Sequence, residues 1–247
     1  MRPHEKIAGL FGYDMFRIKR SHMTVERHLR TLFDFLGINL VIDVGANQGQ
    51  YGKMLRRAGY KGKIVSFEPV SSTYNLLQAC CNQDANWRAY RYALGARVEK
   101  QLINVTRFSD LASFHKPNQF AEKTFSDNIE VSATEEVEIM TLDQMFEDVT
   151  HDISDPKVFL KMDTQGHDLE VLAGAAKSIN KISGIQSEVA VIPIYEGIPD
   201  YVESITEFRK HGFEVTGLYP VSRDGDSLVV IEFDCVMVKR SAVKNWK

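Results

Sequence analysis

Apolar residues recur along this chain in two rhythms. Short runs rich in β-branched residues read as buried strands: Leu40-Val41-Ile42, Lys63–Phe67, Trp87–Tyr92, Lys157–Asp163 and Ile185–Ile192. Between them the apolar residues fall three or four apart, which predicts helices over Gln50–Ala58, Ser71–Gln83, Asp168–Ala176 and Asp200–His211. Leu29, Leu32, Phe33 and Leu36 keep the same spacing, so His22–Leu36 reads as an amphipathic helix ahead of the first strand. Strands that alternate with helices predict an α/β fold with a mostly parallel sheet. From Glu99 to Leu142 the helical rhythm disappears. There Leu102–Val105, Ile129–Val131 and Val137–Met140 read as short strands, Lys116-Pro117-Asn118 as a turn, and Thr141-Leu142-Asp143 leads into a short helix through Phe146. Phe213–Leu218 and Ile231–Val238 close the chain as a hairpin around Arg223-Asp224-Gly225-Asp226. The organisation expected is an N-terminal helical extension over 1–36 and one main domain over 37–247, with a β-rich insertion at 99–142. The insertion is expected to contact substrate and close over the crevice, or else to be an antiparallel flap that only shields the sheet.

Composition narrows the class. The 247 residues are 44% hydrophobic and 26% charged, as in a soluble globular protein with a full core. A net charge of −3 gives no electrostatic case for nucleic acid or an anionic membrane surface, although the first 36 residues are locally basic through His4, Arg17, Lys19, Arg20, Arg27 and Arg30. That extension reads as a helix packed on the sheet edge or over a ligand, with a lid or a partner-docking arm as the functional alternative. No apolar run reaches the roughly 18 residues of a membrane span, and the N-terminus lacks a signal-peptide core. Three cysteines, Cys80, Cys81 and Cys235, make neither a disulfide framework nor a zinc site, so a cytoplasmic location is expected. A homo-oligomer is left open.

The chemistry begins at the end of the first strand. Asp43 ends it, and Gly45 and Gly49 bracket a turn that opens onto a helix. Glycines let backbone approach a ligand closely, and the helix N-terminus offers free N–H groups. A bulky residue at Gly45 is therefore expected to block binding and leave the fold intact. Glu68 ends the second strand about twenty residues further on, where a βαβ unit places a carboxylate to accept from both ribose hydroxyls. Gly45-x-x-x-Gly49 is not the Gly-x-Gly-x-x-Gly pattern of a pyrophosphate site, which disfavours a nicotinamide dehydrogenase. An adenosine bearing an amino acid, as in S-adenosylmethionine, needs no phosphate pocket.

These residues carry a resemblance. VIDVGANQGQYG at 41–52, FEP at 67–69, ALG at 93–95, KMDTQGHDLEVLAGA at 161–175 and SEVAVIPIYEG at 187–197 resemble, in order, the FkbM-type branch of the class I S-adenosylmethionine-dependent methyltransferases. The resemblance spans roughly residues 40–240. It implies a Rossmann-like sheet of seven mostly parallel strands with an antiparallel last strand and helices on both faces. It implies S-adenosyl-L-methionine as cofactor, S-adenosyl-L-homocysteine as product, and an acceptor hydroxyl on a sugar, glycan or small natural product. Asp43, Gly45, Ala46, Asn47, Gly49, Tyr51, Glu68, Pro69, Ala93, Leu94 and Asp163 are the expected cofactor residues, with Ala93-Leu94-Gly95 beside the adenine.

Catalytic candidates cluster at the carboxyl ends of the later strands, where doubly wound sheets bind ligands. Alternation puts Lys161 and Asp163 on one face of their strand, and His167 follows at a helix entrance. Glu188 is an acid inside an apolar strand, so it is expected either to face the crevice or to pair with Lys161. Asp163, His167 and Glu188 are the candidate bases for an alcohol acceptor. Asp163 and Glu188 are also the oxygen donors a divalent metal would use, but no metal site is assigned. N- or carboxyl-methyl transfer, and a non-catalytic module that keeps the adenosine cradle, are the alternatives.

Overall fold

The structure is a computed structural model that describes residues 23–243. Residues 1–22 of the predicted N-terminal extension, with His4, Arg17, Lys19, Arg20 and the expected helix start at His22, lie outside the described residues. Strand β1 (Leu40–Val44) is buried on both faces, which explains its unbroken apolar run. Leu40, Ile42 and Val44 enter one core, and Val41 enters the other. β2 (Lys63–Phe67), β3 (Trp87–Tyr90), β7 (Val158–Met162) and β8 (Ile182–Ala190) align parallel to it. β9 (Phe213–Arg223) and β10 (Val230–Lys239) complete a seven-stranded sheet of order β3-β2-β1-β7-β8-β10-β9. β10 runs antiparallel to both neighbours. This is the Rossmann-like arrangement that the resemblance implied, seven mostly parallel strands with the last antiparallel.

One face is covered by α1 (Val25–Leu36), α2 (Gln50–Arg57) and α3 (Ser71–Cys81) through Leu29, Phe33, Leu55 and Leu77. α5 (Leu142–Thr150), α6 (Asp168–Ala173) and α7 (Tyr201–Lys210) cover the other through Phe146, Val171, Leu172 and Phe208. Each such side chain contributes about 1.5–3 kcal/mol when fully buried. Thr24 caps α1, Gly37 ends it in a left-handed turn, and Asp200 with Glu203 forms a capping box on α7. α1 thus packs against the sheet, with Phe33 against Phe159 at 4.8 Å.

The insertion differs from its reading. Its strands are β4 (Ala93–Leu94), β5 (Glu99–Thr106) and β6 (Val131–Met140), joined as a separate sheet of order β4-β6-β5. Glu135, Glu136 and Glu138 sit on the largely solvated β6, so no apolar alternation marks its length. Ile129 is buried but lies outside any strand, beside a helix, α4 (Gln119–Phe125), that the sequence reading missed. Asn118, read as part of a turn, is the N-cap of α4. The strand expected over Trp87–Tyr92 stops at Tyr90, because Ala93-Leu94 leaves the main sheet to pair with β6. β8 starts three residues earlier than expected, and β9 runs on to Arg223 along the partly exposed sheet edge.

Candidate active site

Sheet order reverses between β1 and β7, so the turns leaving these two strands diverge and open a crevice. Asp43 on β1 lies in register with Ser66 on one side and Lys161 on the other. Ser66 Oγ donates to Asp43 Oδ2 at 3.2 Å, and Lys161 Nζ sits 3.1 Å from Asp43 Oδ1. Lys161 also reaches Asp163 at 3.4 Å, donates to the carbonyl of Gly45 at 3.1 Å, and lies 5.3 Å from the Tyr51 ring centre. Burial opposes its charge, but Asp43 and Asp163 outweigh burial and raise its pKa above the ordinary lysine value. Lys161 is therefore a fixed ammonium that positions the crevice floor. The expected Lys161–Glu188 pair is absent, because parallel register sets Lys161 opposite Gln186.

The glycine turn has an internal reason for its composition. Gly45 has φ 73°, and a Cβ there would lie 1.9 Å from the carbonyl oxygen of Asp163. A side chain at Gly45 would force the ends of β1 and β7 apart, so the expectation that it blocks only the ligand is corrected. Cβ atoms at Gly49 and Gly52 would come within 3.0 and 2.2 Å of Trp87, so these glycines let α2 pack onto β3. The turn still carries ligand-facing groups. Asn47, at φ 46°, donates its N–H to Glu68 Oε2 at 2.8 Å and its amide to Asp110 Oδ1 at 2.8 Å. Asn47 Oδ1 is enclosed without a partner among the described residues.

Glu68 is more committed than its position at a strand end suggests. Oε1 accepts from Val70 N and Thr73 Oγ1, both at 2.9 Å, and Oε2 accepts from Asn47 N. A carboxylate has about four acceptor positions, so one remains where two were expected for the ribose hydroxyls. Burial pushes its pKa up, against the hydrogen bonds from Val70, Thr73 and Asn47. Glu68→Gln places an amide against one of these donors and removes the charge-assisted bond to a ligand. Affinity for S-adenosylhomocysteine is expected to fall by about 1.5–3 kcal/mol. Calorimetry that returned wild-type affinity for Glu68→Gln would remove the residue from the ligand.

These groups surround a cavity of about 440 Å³. Its size is that of a small-molecule or cofactor site. Gly45, Ala46, Asn47, Tyr51, Glu68, Pro69, Ala93, Leu94 and Asp163 all line it. Asp43 does not, because it lies beneath Lys161, and Gly49 faces Trp87 instead. Lys161 and His167 also line the cavity, whereas Glu188 lines a small separate space behind Gln165. One end is apolar, formed by Pro69, Ala93, Leu94, Ile103, Ala112 and Phe114, and the other holds Tyr51, Lys161, Asp163, Gln186 and Asp234.

Several of these residues escaped the sequence reading. Gln165, at φ 51°, donates to Asp163 Oδ1 at 3.1 Å and Glu188 Oε2 at 2.9 Å, and so separates Glu188 from the cavity. Gln186 donates to Asp234 Oδ1 at 2.8 Å and accepts from Tyr51 Oη at 3.0 Å. The argument applied to Glu188, an acid inside an apolar strand, applies equally to Asp234 and would have found it. Ser109, Asp110 and Phe114 lie in the insertion, which was expected to reach the crevice as a whole, but no local pattern singled out these side chains within it.

The titratable groups fall into distinct states. Burial opposes the charge of Asp163, but Lys161 holds its pKa below the ordinary carboxylate value. Burial, then Asp163 and Glu232, push Glu188 well up, and burial raises Asp234 as well. Glu232, behind them, is pushed up to about 7, chiefly by burial. Burial, with His115 nearby, pushes His167 down to about 4, so its imidazole is neutral at pH 7. Among the described residues, no group of three or more His, Cys, Asp or Glu is placed to hold a metal, and no helix is long and apolar enough to cross a membrane.

S-adenosylmethionine fits what is present. The cavity has an apolar end for a base, a buried carboxylate with one free acceptor position for ribose, and an unpartnered amide oxygen facing the turn. Residues 43–215 match the family model for the methyltransferase FkbM domain, which is more than half of the chain. No curated protein matches the sequence. Similar solved structures include magnesium protoporphyrin IX methyltransferase of Synechocystis PCC 6803 with bound S-adenosylmethionine, at 10% identity over 87% of this chain and 79% of that one, TM-score 0.45. Aeropyrum pernix fibrillarin with bound S-adenosylmethionine matches at 10% identity over 81% and 66%, TM-score 0.45. An rRNA methylase of Streptococcus thermophilus matches at 11% identity over 88% and 99%, TM-score 0.42. The chain belongs to the FkbM methyltransferase family, and S-adenosylmethionine is its methyl donor.

Proposed function

We propose that the chain is an O-methyltransferase whose acceptor is a hydroxyl of a sugar, glycan or small natural product. The observation that supports this reading is the polar end of the cavity, where Asp163, Asp234 and Gln186 meet. Such a wall accepts hydrogen bonds, as a hydroxyl donor requires, and the ammonium beside it, Lys161, is already paired with Asp43 and Asp163. The donor supplies an electrophilic methyl on a positively charged sulfur. The protein aligns the acceptor against it and takes the acceptor's proton.

Asp163 and Asp234 are the carboxylates placed for that proton. Lys161 keeps Asp163 ionised and weakly basic. Asp234 has a raised pKa, is held in place by Gln186, and is the stronger base. His167 lies at the apolar end and Glu188 behind Gln165, so neither takes the role of base. A cationic amine is the second acceptor that an acidic wall accommodates, which keeps N-methylation as the alternative.

Product analysis separates the two. The protein is incubated with methyl-deuterated S-adenosylmethionine and two acceptor panels, saccharides and aliphatic amines, and the labelled carbon is identified by NMR. Methyl ether formed only on the saccharide panel is the expected result. Label carried only by amine products would overturn the assignment.

A further inference from the structure

His167 was a candidate base on sequence, yet the fold turns it away from the polar end. Gln165 at φ 51° and Gly166 at φ 93° reverse the chain after β7, and His167 follows at the entrance to α6. Its ring packs against Phe114 at 4.8 Å, tilted by 51°. Its Nε2 lies 3.0 Å from where a Cβ on Gly95 would stand, beside the Ala93-Leu94 wall. The residue lines the cavity, and no protein hydrogen bond contributes to its protonation state.

The cavity assigns its own contents by polarity. The planar, largely apolar part of S-adenosylmethionine is its purine, and the one end able to bury it is formed by Pro69, Ala93, Leu94, Ile103 and Phe114. Glu68 lines the same cavity beside Pro69, and its remaining acceptor position is the one open to a ribose. A purine buried among apolar side chains still carries ring acceptors and an exocyclic amine, and leaving these unpaired is costly. A neutral imidazole has one donor and one acceptor to offer them.

We propose that His167 is a specificity residue that reads the adenine edge of the methyl donor from the insertion side of the cavity. Phe114 sets the plane of the imidazole, and the Gly95 turn leaves room for it. A protonated imidazole would lose its acceptor, and burial keeps it neutral at pH 7. The inference rests on S-adenosylmethionine occupying this cavity.

The test is isothermal titration of S-adenosylhomocysteine and of 5′-methylthioadenosine, which keeps the base, ribose and thioether but lacks the amino acid. Both ligands are titrated into wild type, His167→Leu and His167→Gln, with thermal melting as a check on folding. His167→Leu is expected to weaken both ligands by a similar factor of about 10, as for one lost buried hydrogen bond. His167→Gln, which keeps a donor and an acceptor, is expected to stay within about threefold of wild type. If His167→Leu melts early, the Gln variant decides, and a tenfold loss in a well-folded Gln variant counts against the inference. Unchanged affinity in folded His167→Leu overturns it whatever the turnover, and a collapse of turnover alongside returns His167 to the acceptor. Wild type that binds neither ligand contradicts the cofactor assignment itself, a result separable from any effect of His167.

Discussion

Asp234→Asn is expected to lower turnover by about 10²–10⁴-fold, the usual contribution of a positioned general base. Asn keeps the shape of the side chain and can still meet Gln186, so the loss isolates the proton. The sign with pH follows from the raised pKa of Asp234, whose first cause is burial. Below that pKa the carboxyl is protonated and cannot accept, so wild-type turnover falls in acid from a point above the ordinary aspartate value. In Asp234→Asn this acid limb should vanish, and the deficit should shrink as alkali ionises the acceptor unaided. S-adenosylhomocysteine affinity should stay within a few fold of wild type. Turnover against pH for the two proteins checks the prediction, and an unchanged acid limb in the variant would assign the proton elsewhere.

Lys161→Met is expected to cost about 3–5 kcal/mol of stability, because it leaves a buried carboxylate uncompensated. Asp43 is fully buried, and Ser66 is its other side-chain partner. The substitution also removes the bond to the Gly45 carbonyl that ties the turn to β7. Urea denaturation reads the loss. A second substitution, Asp43→Asn, should recover much of it, since removing both charges of a buried pair is far milder than removing one. A Lys161→Met protein as stable as wild type would show that the ion pair contributes little. Asp163 adds a pH dependence to the same network. Its pKa is lowered in the folded state, so its contribution is present above the unfolded value of about 3.9 and lost as pH falls through the folded one.

The sheet was legible because β1, β2, β7 and β8 are buried and their apolar runs are continuous. The cavity floor was legible for a similar reason. Asp43, Glu68 and Asp163 stand at strand ends, and strand ends in an open parallel sheet converge on the crevice. What the sequence hid is of two kinds. β6 is solvated along most of its length and buries only Val137 and Ile139, so its register and length came only from pairing with β5. α4 is just 7 residues long, too short for a helical rhythm to show. Roles that depend on turn geometry were hidden as well. The left-handed residues Gln165 and Gly166 send His167 toward Phe114 and interpose Gln165 before Glu188, and no periodicity encodes this. Gly45 and Gly49 were read correctly as close approaches, but the protein neighbours they admit were hidden: Gly49 faces Trp87, and Gly45, which also lines the cavity, lets β1 approach Asp163.

The central claim is that the crevice between β1 and β7 holds S-adenosylmethionine through the Asn47 turn and Glu68. Calorimetric titration of S-adenosylhomocysteine into the purified chain tests it most directly, with Asn47→Gly, which keeps the left-handed turn, run beside wild type. That substitution removes the unpartnered amide oxygen and the bond to Asp110. The account predicts one saturable site per chain in wild type and at least tenfold weaker binding in the variant, the loss expected when a charge-assisted hydrogen bond is removed. No saturable binding to the folded wild-type chain, or equal binding by both proteins, would contradict it.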